Sequence, residues 1–443
     1  MAQVKEISTE GLKREFNVTI PLADVETLLS AQLEEIRKTA KHAGFRPGKM
    51  PLDLVRQLYG ESARGEALDK AISEAVQKTF ADRKLRPAMQ PKIDLVSFAK
   101  DKDVEFKLAV EILPDVVPGD FSKIEVERFV ADVDDKTVTD AITRTAKAMR
   151  ETDVVTEARA AKNGDVVVID FDGSVDGKRE PGMKGDAHHL ELGSKSFIDT
   201  FEAQLVGSKV GDKKSIKVTF PAEYHAPNLA GKAAVFEVEV KELRAQKPLE
   251  INDELAKEIG FPSLADLQQR IRDDIGGNYT QISRAVIKRQ MMDKLADMHK
   301  FEVPQGMLDA EFGSIWQQIE QAKKQGELPE EDKKKSDDDL RKEYRAIADR
   351  RIRLGLLLAE VAQKQNVTVA PNELRNALMA EARRFPGQEK AVFDYYTQTE
   401  GAMERLRAPL LEDKVIDFIV SQAKVTEKKI AADELLKMPA EMD

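Results

Sequence analysis

Leu12, Phe16, Val18 and Ile20 keep to even positions, and that period of two predicts a strand over residues 12–20. Asp24 then precedes a helical pattern. Val25, Leu28, Leu29, Leu33 and Ile36 share one face, while Glu26, Glu34, Glu35 and Lys38 lie opposite. Helical spacing resumes over Pro51–Tyr59 and again from about Ser62 to Asp82. Two strands follow, near 93–98 and 104–113. In the second, Val104, Phe106, Leu108, Val110 and Ile112 alternate strictly. The pattern predicts a small α+β domain over 1–115 with a bare helical hairpin tip.

The texture then changes twice. Residues 116–155 read as a linker with structure of its own: Pro114 and Pro118 break the strand, Ile124–Val130 is extended and Asp134–Glu151 helical. Over 156–245 the chain turns to short strands with glycine-marked turns. Strands are predicted at 166–171, 215–220 and 235–243, a hairpin turn at Ser174–Gly177 and a short helix at 197–205. From 246 to 443 the spacing is almost wholly helical. A helix capped by Ser263, with Asp266 at its third position, is predicted to run to about His299 with a weak point at Gly276-Gly277, and further helices at 307–324, 340–365, 372–384, 390–399, 401–425 and 427–437. The charged run Glu330–Asp339 reads as a solvated loop. Val367–Pro371 echoes Phe301–Pro304, which suggests a repeated, arm-like unit.

Composition narrows the classes. The 443 residues are 41% hydrophobic, 34% charged and only 6% aromatic, with a net charge of −10. That balance predicts a folded chain of about three domains. There is no cysteine, which excludes a disulfide framework and thiol catalysis. The opening MAQVKEISTEGLKREF has no apolar leader and no run is long enough to span a bilayer, so a cytoplasmic protein is expected. Five scattered histidines form no metal-ligand pattern; His188 and His189, adjacent in a strand, would point to opposite faces. No phosphate-cradling GxxxxGK[ST] stretch occurs.

The hairpin tip carries the most specific stretch, Gly44–Pro51, GFRPGKMP. Gly44 reads as a left-handed helix cap, Pro47 and Gly48 as turn residues, and Pro51 as a helix opener. No acid occurs from Arg37 to Leu52, yet Arg37, Lys38, Lys41, Arg46 and Lys49 are all cationic. Charge alone leaves two readings, a solvated connection or a docking surface for an anionic partner such as phosphate.

Gly-Phe-Arg-x-Gly-x-x-Pro after an amphipathic helix resembles the ribosome-docking signature of bacterial trigger factor. The resemblance spans nearly the whole chain. The phrases IDFDGSVDG, FEAQLVGSKVGD, FPAEYH and LAGKAAVFEVEV resemble an FKBP-type peptidyl-prolyl isomerase domain. It implies an α+β multidomain protein: a ribosome-docking α+β domain, an FKBP-like half-barrel insert, and an all-α C-terminal cradle with arms. Gly44, Phe45, Arg46, Pro47, Gly48, Lys49 and Pro51 would dock on the large ribosomal subunit beside the tunnel exit. Phe171, Ile198, Phe201, Tyr224 and Phe236 would line the isomerase pocket, a backbone N–H near Ile198 holding a substrate carbonyl. The bland reading of those five is the core of a half-barrel. Three departures predict modest turnover: Asp199-Thr200 where the family has a glycine before the aromatic, Glu180-Pro181 after the first hairpin, and His188 at a strand position often filled by phenylalanine.

Eight of thirteen methionines follow residue 290, which suits adaptable contact with varied apolar chains. The partners implied are the ribosome and nascent or unfolded polypeptide, with no membrane, no cofactor and no ATP. Self-association of the free protein would hide exposed apolar arms. Two other readings stand: a free cytosolic prolyl isomerase with substrate-selecting helices, and a periplasmic chaperone, which the missing leader disfavours.

Overall fold

The computed structural model describes residues 2–438 except 41, 43–44, 46–47, 99–101, 176–177, 199, 222–223, 225–228 and 249. The chain divides into two compact units, one of residues 1–130, 282–430 and 437–443, the other of 131–281 and 431–436. The protein is α+β and multidomain.

In the first unit, β1 (Gln3–Glu10) and β2 (Lys13–Ile20) form a hairpin, followed by α1 (Leu22–Thr39) and α2 (Leu52–Asp82). β3 (Lys92–Ser97) and β4 (Val104–Glu111) complete an antiparallel sheet of order β1-β2-β4-β3. Alternation in β2 and β4 turns Phe16, Val18, Phe106 and Leu108 onto Leu68, Ala71, Ile72 and Ala75 of α2. Each of the large side chains so buried contributes roughly 1.5–3 kcal/mol. Beyond the sheet the two helices form a hairpin, closed by Leu29, Leu33, Met50, Val55, Ala63 and Ala67. The alanines let the backbones approach.

After one 3-10 turn at Phe121–Lys123 comes β5 (Glu125–Val130). The second unit begins with α3 (Asp135–Ala148), capped by the Asp134 carboxylate on the Thr137 N–H at 2.6 Å. There β6 (Thr152–Val154), β7 (Asp165–Val175), β8 (Lys178–Glu191), α4 (Phe201–Leu205), β9 (Lys213–Thr219) and β10 (Ala233–Gln246) form a half-barrel. Its antiparallel order is β6-β10-β7-β8, and β9 pairs with the edge of β10 that also carries β6. α4 closes it over Val167, Ile169, Leu190, Ile216 and Val238. α5 (Asp253–Ile259) and the start of α6 (Leu264–Met298) pack on α3 through Leu255, Ala256, Leu267, Val138 and Ile142.

The helical body of the first unit comprises the later turns of α6, α7 (Gln305–Gln325), α8 (Asp337–Gln365), α9 (Pro371–Arg383), α10 (Glu389–Gln398) and α11 (Ala402–Gln422). Met291, Met292 and Leu295 meet Leu354, Leu357, Val361, Val415 and Ile419 in its core. β11 (Lys424–Lys429) pairs in parallel with β5, and α12 (Ala432–Leu436) is the last helix described.

Several local expectations are corrected. β1 is a strand that the pattern missed, because its side chains are mostly exposed. α2 runs unbroken through Gly60 and Gly65, held by its buried alanines. Pro21, not Asp24, occupies the N-cap of α1, and Asp24 sits in the first turn. α6 is likewise continuous across Gly276-Gly277. The pocket helix is shorter than predicted, 201–205. Residues 424–429 are a strand, not helix, because β5 offers a backbone edge. The run Glu330–Asp339 is mostly exposed, as expected, but it is not all loop: Ser336 caps α8, whose first turn holds Asp337–Asp339, and Asp332 is buried against the Tyr344 hydroxyl at 2.7 Å. The hairpin turn at Asp176-Gly177 lies outside the described residues.

Candidate functional site

At the hairpin tip, the Gly48 N–H donates to the Arg37 carbonyl at 2.9 Å, tying the connection back to the end of α1. Gly48 takes a φ of +81°, a conformation glycine adopts freely. Met50 is buried in the hairpin core, and Pro51 stands at the N-cap of α2. That anchoring leaves Phe45 38% exposed and Lys49 exposed. The Phe45 ring lies 6.2 Å from His42, with the Phe45 N–H on the His42 carbonyl at 3.2 Å. Gly44, Arg46, Pro47 and Lys41 lie outside the described residues. Two cations of the patch have partners within the preceding helix. Arg37 pairs with Glu34 at 2.5 Å and Lys38 with Glu35 at 2.7 Å, both within α1, and Glu35 holds the Lys38 ammonium above its ordinary value.

In the half-barrel, β7 supplies Phe171, β10 supplies Phe236 and α4 supplies Phe201. Phe236 lies 6.1 Å from Phe171 and 5.4 Å from Phe201, so three of the five expected pocket residues meet ring to ring. Ile198 and Tyr224 pack half-buried against the same core, Tyr224 beside Phe220 at 4.7 Å. Among the described residues the Ile198 N–H has no hydrogen-bond partner, whereas the Phe197 N–H before it does.

Two residues escaped the sequence reading. Phe197 closes a circuit with the other rings, 5.8 Å from Phe171 and 4.8 Å from Phe201. Glu202, buried one residue into α4, organises the loop that carries Phe197 and Ile198. Its carboxylate accepts N–H groups of Gly193 (2.8 Å), Lys195 (3.0 Å), Ser196 (2.8 Å) and Phe197 (3.1 Å), with the Ser194 hydroxyl at 3.1 Å. Burial pushes the Glu202 carboxyl up, but these donors outweigh it and hold the group below its ordinary value. A glutamate flanked by apolar residues in a short helix is the signal that could have exposed it.

The expected departures have distinct places. His188 on β8 faces the same circuit, 5.8 Å from Phe171 and 5.2 Å from Phe197. Thr200 has a φ of +73°, so a β-branched residue occupies left-handed backbone. Asp199 lies outside the described residues; Glu180-Pro181 lies within β8. Apolar rings grouped in this way are of the kind that can desolvate a prolyl ring.

Residues 2–145 match the family described as bacterial trigger factor protein, and residues 263–421 match its C-terminus. Residues 157–241 match FKBP-type peptidyl-prolyl cis-trans isomerase. Trigger factor of Rhodospirillum centenum is 50% identical over 440 residues, spanning 99% of this chain and 98% of its own. Its Azospirillum brasilense counterpart is 47% identical over 438 residues, again 99% and 98% of the two chains. A solved structure reported for promiscuous substrate recognition in folding and assembly by the trigger factor chaperone covers 95% of this chain and 99% of its own. At a TM-score of 0.56 and 21% identity it shares the fold. The chain belongs to the trigger factor family and is a chaperone carrying an FKBP-type peptidyl-prolyl isomerase domain.

Proposed function

We propose that the chain docks on the large ribosomal subunit at the tunnel exit through its Gly44–Pro51 tip, and receives nascent chains on its helical region without ATP. The observation that carries this is Phe45. A phenylalanine left 38% exposed at the end of an anchored hairpin adds nothing to the core, and beside the exposed Lys49 it suits an RNA–protein surface. On this reading residues 1–115 dock, 116–155 link, 156–245 isomerise and 246–443 hold clients, with the protein cytoplasmic and partly ribosome-bound. Co-sedimentation with ribosomes tests it: Phe45→Ala/Arg46→Ala/Lys49→Ala should leave the ribosome pellet, and unchanged pelleting would refute the docking role.

Isomerisation is assigned to Phe171, Ile198, Phe201, Tyr224 and Phe236. An X–Pro bond resists rotation by about 18–20 kcal/mol because resonance makes C–N partly double. An apolar wall that desolvates the imide and accommodates its twisted form favours the transition state over the planar ground state. The Ile198 N–H would hold the substrate carbonyl. Phe236→Ala should lower turnover of proline peptides in a protease-coupled assay; wild-type turnover in that variant would unseat the pocket.

A further inference from the structure

The pocket assigned above is shut. Phe201, its floor, is 0% exposed and Phe236 is 5% exposed, so in this structure a substrate ring cannot reach either. Phe197 is the half-buried ring packed on Phe201, whereas Phe236 is also packed near Met183. The Phe197 ring stands between Phe171 and Phe201, at 5.8 Å and 4.8 Å, opposite Phe236, which bridges the same two rings from the other side. A prolyl ring stacked between Phe171 and Phe201 would need the space this phenyl fills. A pyrrolidine is smaller than a phenyl, so the space left when Phe197 withdraws is large enough.

The support around Phe197 separates its backbone from its side chain. Glu202 fixes the loop through the N–H groups of Gly193, Lys195, Ser196 and Phe197 itself. The neighbour beyond the Phe197 ring is His188, which is exposed and lies 5.2 Å away. Rotation about the side-chain torsions can therefore swing the ring past the solvent-exposed imidazole while the Ile198 N–H keeps its place.

Resting on the pocket assignment, we propose that Phe197 is a gating residue of the isomerase site, which a proline-containing chain must displace to bind. The closed fraction then weakens apparent affinity, since only the open form accepts substrate. The effect falls on KM more than on kcat.

The test is protease-coupled isomerase kinetics on the full-length protein, with tetrapeptides carrying one X–Pro bond, for Phe197→Ala, Phe197→Leu, Phe197→Trp and Phe236→Ala. The gate predicts that Phe197→Ala raises kcat/KM at least threefold through a lower KM, that Phe197→Leu is intermediate, and that Phe197→Trp falls below wild type. A drop in kcat/KM for both Phe197→Ala and Phe197→Leu, with unfolding midpoints within a few degrees of wild type, would make Phe197 an ordinary wall and overturn the gate. Should Phe197→Ala unfold, the Leu and Trp variants decide by moving in opposite directions or together. Phe236→Ala separates the two claims. If it loses turnover while the Phe197 series stays flat, the gate alone fails; if it retains wild-type turnover, pocket and gate fail together.

Discussion

The Phe197 N–H donates to Glu202 at 3.1 Å, and three further backbone N–H groups of the same loop converge on that carboxylate. One buried charge thereby fixes the segment presenting Ile198. Removing it strands several donors. Glu202→Ala should destabilise the second unit by about 2–4 kcal/mol, since bonds to a charged acceptor are worth roughly 1.5–3 kcal/mol each and are not additive. Urea unfolding followed by circular dichroism reads the loss.

The same group sets a pH dependence. Because the folded Glu202 value lies below the ordinary 4.5, its contribution is present above that pH and is lost as pH falls through the folded value. Asp165, held down by Arg159, shifts in the same direction. Stability of this unit should therefore be level between pH 7 and 5 and decline below about 4.5. Glu202→Gln should flatten that decline when unfolding midpoints are measured across the range.

Arg159 grips the buried Asp165 with two bonds, at 2.6 and 2.9 Å. Arg159→Ala leaves the carboxylate buried with the Lys162 N–H at 2.9 Å, and should cost on the order of 3 kcal/mol. Chemical denaturation of the full chain checks this as a separate shift in the transition assigned to the half-barrel.

Thr200 pays for its left-handed backbone with crowding at Cβ. Thr200→Gly should stabilise the half-barrel by about 1 kcal/mol, relief of strain exceeding the added freedom of the unfolded chain. A lower midpoint in thermal unfolding would show that the threonine is not strained there.

Tyr344 is pushed up to about 12, by burial first and then by the Asp332 carboxylate accepting its hydroxyl. A phenol raised in the folded state contributes stability fully present below pH 10 and lost as pH rises through 12. Absorbance titration at alkaline pH should show one tyrosine ionising about two pH units late, and Tyr344→Phe should remove that step.

Much of this architecture can be read from periodicity. β2, β4 and α1 follow from alternating or helical apolar residues because one face of each is buried. Legibility fails where stability comes from elsewhere. β1 and β11 bury little, and β11 exists because β5 lies far away in sequence and adjacent in space. The charged run before α8 looks solvated until Asp332 meets Tyr344 across twelve residues. The resemblance singled out Phe171, Phe201 and Phe236, whose rings do meet, but it did not single out Phe197 and Glu202 beside them. Their roles come from loop backbone converging on one carboxylate, which no spacing rule encodes. At the tip, Arg37 and Lys38 have intrahelical partners that composition alone does not reveal.

The docking claim is tested most directly by a photo-cross-linking phenylalanine analogue at position 45, illuminated with translating ribosomes. The account predicts adducts with large-subunit components at the tunnel exit, which high salt reduces as ionic contacts at the tip are screened. Adducts confined to the protein's own chain, or none with the large subunit, would contradict it.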